Sequence, residues 1–145
     1  MATKKAPELF YDESRFCGGC GHGIFNRILA EVLEEMDIVS DTIICSDIGC
    51  NHQFRMNVDA IVPPHGKMGA ALTAMKRVRP DKNILPIAGD GGAYAIGLGE
   101  TTSAALRNEN VTMFVMNNTV FGMTGGQLAP TTMIGQKTAS TPAGR

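Results

Sequence analysis

The stretch ILPIAGDGGAYAIGLGETTSAALRNENVTMFVMNNTVFGMTGGQ, residues 84–127, decides the fold. It opens on an apolar run, 84–88, that meets a Gly-Asp-Gly-Gly turn at 89–92. A segment of small residues with helical character follows, and a second apolar run, 111–116, ends on Asn117-Asn118. Two short apolar runs bracketing a helix predict a βαβ unit in a buried parallel sheet. In such sheets ligands sit beyond the carboxyl ends of the strands, where the strand order reverses. Asp90 and Asn118 stand at two such ends. Their carboxylate and amide oxygens are hard donors, suited to Mg²⁺ or Ca²⁺. Beyond them, Gly122, Gly125 and Gly126 are expected to turn free backbone N–H groups toward an anion. A metal held by two protein oxygens beside a glycine cradle is a site for a metal-bound diphosphate. The simpler alternative for Asp90 is an N-cap on the following helix. Asn118 at the matching strand end weighs against it.

The spacing is Gly-Asp-Gly, then 25 residues, then Asn-Asn. It resembles the thiamine diphosphate motif. The continuation NTVFGMTGGQLAPTT, residues 118–132, is similar to the β subunits of 2-oxoacid:ferredoxin oxidoreductases. That resemblance implies an α/β fold: a mostly parallel sheet with flanking helices that binds the diphosphate half of thiamine diphosphate. It places Gly89, Asp90, Gly91, Gly92, Asn118, Val120, Gly122, Met123 and Thr124 against the cofactor. Mg²⁺ would be held by Asp90, Asn118 and the Val120 carbonyl. His65, in a His-Gly pair after Pro63-Pro64, would contact the cofactor, its alternative being a structural histidine at a turn. Ile48, Gly49 and Cys50, in the loop SDIGCNHQF at 46–54, would approach the cofactor's rings. Asn117 is expected to serve the turn.

The cysteines form a second constellation. Cys17 and Cys20 lie in FCGGCGHG, residues 16–23, a glycine-loaded loop able to wrap a metal or cluster. By itself CGGC is open to three readings: a redox dithiol, half a zinc site or part of a cluster site. The resemblance implies a [4Fe–4S] cluster held by Cys17, Cys20 and Cys50, with a fourth thiolate that has no counterpart in this chain. Cys45, inside an apolar run, reads as a small core thiol. Decarboxylation of a 2-oxoacid on thiamine leaves electrons that a nearby cluster can take one at a time.

Residues 24–36 carry apolar positions at helical spacing, with Arg27 and Glu31 as an i,i+4 pair. Runs at 42–45 and 59–62 predict short strands, and residues 69–79 a helix of small residues. The first fifteen residues read as an extended lead-in. Net charge is -1 and Trp is absent, which argues against nucleic-acid partners. No apolar run is long enough to span a membrane. The charged N-terminus lacks a secretory h-region, so a cytoplasmic protein is expected. Residues 1–145 are expected to form one thiamine diphosphate-binding domain, incomplete at its C-terminus. The resemblance implies CoA-dependent oxidative decarboxylation of a 2-oxoacid, with reduced ferredoxin as product. It also implies an α-type partner subunit, with or without γ and δ subunits. That partner would bring the carboxylate that activates the cofactor, for which Glu100 is on the wrong side. The rivals are another thiamine diphosphate enzyme, and a non-enzymatic iron–sulfur or zinc module.

Overall fold

The computed structural model describes residues 5–145. The first four residues of the expected lead-in lie outside it. The elements run α1 (Gly21–Glu35), β1 (Thr42–Ser46), β2 (Asp59–Ile61), α2 (Met68–Val78), β3 (Asn83–Gly89), α3 (Leu98–Leu106) and β4 (Phe114–Met116). A hairpin of β5 (Val120–Phe121) and β6 (Gln127–Leu128) follows. The main sheet has the order β2-β1-β3-β4, and every neighbouring pair is parallel. The α/β class expected from the sequence is the one observed.

Alternate residues of the central strands feed two apolar layers, which is why their sequence reads as unbroken apolar runs. Ile43, Cys45, Ile84 and Ala88 pack with Met68, Leu72 and Ala104 of α2 and α3. Ile44 and Ile87 face the other way, onto Leu29, Ala30 and Leu33 of α1. Leu9 and Met56 close that second layer, and an antiparallel bridge joins Phe10 to Met56. The lead-in is thus partly built into the core.

Three details depart from the sequence reading. The run at 111–116 forms ladder bonds only over Phe114–Met116, because its first residues are still climbing out of the turn after α3. The segment after the Gly-Asp-Gly-Gly turn begins as a π-helix, Gly92–Ile96, before becoming α3. Such wide turns recur at functional sites. The glycine-rich tail is a hairpin and not an open cradle: Gly126 N–H donates to Phe121 O at 2.9 Å and Gly125 N–H to Gly122 O at 3.2 Å. Those two donors are therefore committed to the turn.

Candidate active site

From β1 the chain moves outward to β2, then returns across the sheet to β3. The direction reverses between β1 and β3, and a crevice opens beyond their carboxyl ends. A cavity of about 140 Å³ lies there. The residues that the resemblance places at the cofactor line its wall, whereas Gly125 and Gly126 of the expected cradle do not. Ile48, Gly49 and Cys50 come from the loop after β1 and His65 from the turn before α2. Gly89, Asp90, Gly91 and Gly92 come from the end of β3. Asn118, Val120, Gly122, Met123 and Thr124 come from the segment after β4. His22, Asn51, Met116 and Phe121 complete the wall.

Asp90 is only 2% exposed. Its Oδ2 accepts a hydrogen bond from the Thr131 hydroxyl, which ties the hairpin tail to the end of β3. The terminal amide of Asn118 lies 2.7 Å from the Val120 carbonyl oxygen and 3.1 Å from Asp90 Oδ1. With its nitrogen inward, that amide donates to both. With its oxygen inward, three oxygens converge with no proton between them, the donor set a hard divalent cation takes. Adjacent oxygens around an octahedral Mg²⁺ with bonds of about 2.1 Å are about 3.0 Å apart. The observed separations fit that edge, so the residues present suit the ion. Asn117 turns away and accepts from Thr119 N–H at 3.1 Å, as a turn residue.

The glycines of the turn are required by close approach. A Cβ at Gly91 would meet the Phe121 ring at 2.1 Å, and one at Gly92 would sit 1.7 Å from Asp47 Oδ2. Asp47 is the site residue whose role the sequence left unassigned. It follows β1, is fully buried, and receives both His65 Nδ1 at 3.0 Å and Gly66 N–H at 2.9 Å.

Cys50 lines the crevice, and Cys17 and Cys20 lie near enough to act on its thiol. Cys17 is exposed, while Cys20 and Cys50 are half-buried. A 3.0 Å bond from Cys20 N–H to Cys17 O closes the CGGC turn, and Cys20 precedes α1. Burial, and then the neighbouring Cys20 and Cys17 sulfurs, push the Cys50 thiol above its ordinary range. His22 stands with Nδ1 3.5 Å from Cys20 Sγ and stacks on Phe16. Burial lowers its pKa, with Asn51 and Asp90 opposing. Asn51 Oδ1 is buried and has no hydrogen-bond partner. Among the described residues no three of His, Cys, Asp or Glu are placed to hold a single metal ion. A cluster spreads its thiolates more widely than one ion does. Cys45 is fully buried in the core, its thiol pushed up to about 12 by burial. Glu100 sits on α3 and pairs with Lys67, away from the crevice. Among the described residues no helix is long and apolar enough to cross a membrane.

Comparison with known proteins bears on this geometry. Ketoisovalerate oxidoreductase subunit VorA of Methanothermobacter thermautotrophicus is 38% identical over 91% of this chain and 28% of its own length. 2-Oxoglutarate synthase subunit KorB of Methanocaldococcus jannaschii is 38% identical over 89% of this chain and 49% of its own. The chain thus spans between about a quarter and a half of these relatives. The solved 2-oxoglutarate:ferredoxin oxidoreductase from Magnetococcus marinus, with 2-oxoglutarate, coenzyme A and succinyl-CoA bound, superposes with a TM-score of 0.89 at 28% identity. The match covers 99% of this chain and 51% of that one. The likeness to 2-oxoacid:ferredoxin oxidoreductase subunits carried by the GMTGGQ tail is borne out by these matches. The family described as thiamine pyrophosphate enzyme, C-terminal TPP binding domain, matches residues 45–145, from the end of β1 through the whole crevice, and the chain belongs to that family.

Proposed function

We propose that this chain is the thiamine diphosphate-binding part of a 2-oxoacid:ferredoxin oxidoreductase. It would act with an α-type partner subunit in CoA-dependent oxidative decarboxylation of a 2-oxoacid. The observation that carries this reading is the meeting of Asp90 Oδ1, the Asn118 amide and the Val120 carbonyl at 2.7 and 3.1 Å. Those separations suit Mg²⁺, whose bonds of about 2.1 Å demand a tighter oxygen set than the 2.3–2.6 Å bonds, roughly, of Ca²⁺. The metal would anchor the diphosphate, and thiamine when bound supplies the carbon centre that attacks the 2-oxoacid carbonyl.

The residues of this chain then bind and orient. Thr131 holds Asp90 by its Oδ2, leaving Oδ1 for the ion. Gly91 and Gly92 let the end of β3 approach the crevice without a side chain in the way. Met123, 47% exposed, and Ile48, 36% exposed, supply apolar surface at the cavity's mouth, suited to the flat rings of a cofactor and to excluding water. Cys17, Cys20 and Cys50 would give three ligands of a [4Fe–4S] cluster, with the fourth from outside this chain. Burial, and then the neighbouring sulfurs, raise the Cys50 thiol, a cost that a cationic iron centre would relieve. Ferredoxin would be the external electron acceptor, and the cytoplasm the compartment.

The test is anaerobic co-purification of the chain with its partner from the native source. The expected result is a brown complex with broad visible absorbance and bound thiamine diphosphate. A colourless complex would remove the cluster from the account, and a complex without thiamine diphosphate would remove the function.

A further inference from the structure

Asp47 is fully buried, and among the described residues its one ion-pair partner is His65. A buried carboxylate is stable only when its oxygens are satisfied. Here they are used separately: Oδ1 accepts from Gly66 N–H at 2.9 Å and Oδ2 faces His65 Nδ1 at 3.0 Å. A carboxylate can only accept, so the single N–H of a neutral His65 must lie on Nδ1. Nε2 is then left with its lone pair. Among the described residues nothing bonds to Nε2, and the imidazole forms part of the crevice wall. A Cβ at Gly92 would lie 1.7 Å from Asp47 Oδ2 and 3.4 Å from His65 Cε1, so the turn after β3 packs directly on this pair.

We propose that Asp47 is a positioning residue. It fixes His65 in the Nδ1–H tautomer, so that Nε2 stands in the crevice as a hydrogen-bond acceptor for an N–H or O–H donor of the bound cofactor or substrate. The His65 side chain is 36% exposed and lines the crevice, so the ring is open to a ligand there. This inference rests on the crevice being a cofactor site.

The chain has three histidines, so ¹⁵N-histidine labelling gives three resolvable imidazole patterns. Spectra are taken at pH about 8.5, well above the ordinary imidazole value of about 6.5. His65 is assigned by the pattern that vanishes in His65→Gln. The expected result is an Nδ1–H tautomer for His65 in the parent chain. An Nε2–H tautomer there overturns the proposal, and this measurement needs no variant of Asp47. In Asp47→Asn the amide oxygen can still accept from Gly66 while the NH₂ turns to His65, so the tautomer should reverse to Nε2–H. A folded Asp47→Asn chain with an unchanged tautomer also overturns it. Adding thiamine diphosphate and Mg²⁺ should shift the His65 Nε2 resonance. An unmoved Nε2, with binding established by calorimetry, overturns the ligand half. If the cofactor fails to bind while Nδ1–H is observed, the cofactor reading of the crevice falls and the positioning by Asp47 stands.

Discussion

Gly92→Ala is the substitution with the sharpest consequence for stability. The added Cβ would lie 1.7 Å from Asp47 Oδ2 and 3.4 Å from His65 Cε1. No real Cβ tolerates the first distance, so either the carboxylate or the π-helical turn must move. The carboxylate is fully buried and held by His65 and Gly66, at 3.0 and 2.9 Å. Losing one charge-assisted bond costs about 1.5–3 kcal/mol. Overpacking adds about 1–3 kcal/mol. The total, about 2.5–6 kcal/mol, is a large share of the roughly 5–15 kcal/mol that holds a domain together. With a urea slope of about 1–3 kcal/mol per molar, the midpoint should fall by about 0.8 M or more. Gly99→Ala is the matched control. It lies in α3, and a Cβ there meets nothing within 4 Å. Helix propensity predicts that Gly99→Ala stabilises by about 0.5–1 kcal/mol. Equal midpoints for Gly92→Ala and the parent would refute the packing of Asp47 against the turn.

Thr131→Val removes the hydroxyl that holds Asp90 Oδ2, and should weaken Mg²⁺-dependent cofactor binding about 10- to 100-fold, read by calorimetry, and lower the urea midpoint as well, because the buried carboxylate loses a donor. His22 has its pKa lowered by burial, so the unfolded chain takes up its proton first. Stability from this group is fully present above the unfolded value of about 6.5 and is lost as pH falls through it. Urea midpoints at pH about 7.5 and 5.5 should therefore differ more in the parent than in His22→Gln. In cluster-free folded protein, Cys17 and Cys20 should react with a thiol reagent near neutral pH, and Cys50, with its thiol raised, more slowly. Cys45, buried and pushed up to about 12, should react only in denaturant.

Much of the fold was legible because each central strand is apolar on both faces. The runs at 42–45 and 84–88 appear almost unchanged as β1 and β3. The meeting of Asp90 and Asn118 was legible because the Gly-Asp-Gly turn and Asn-Asn end adjacent strands of one βαβ unit, a local relation. The Asp47–His65 pair was not, since it joins residues 18 apart through the sheet order, and neither the loop nor the Pro-Pro turn signals it. Thr131 was not singled out, because nothing local tells a threonine 41 positions on that it will meet Asp90. The TGGQ segment misled for a physical reason. Glycines that free an N–H for an anion also permit a tight hairpin, and here Gly125 and Gly126 close one.

The most direct test of the metal-bridged cofactor site is calorimetry of thiamine diphosphate with Mg²⁺ on the complex with its partner, comparing the parent with an Asp90→Ala, Asn118→Ala chain. The account predicts that the double variant loses Mg²⁺-dependent binding by more than about 100-fold. Binding as tight as the parent's would contradict it.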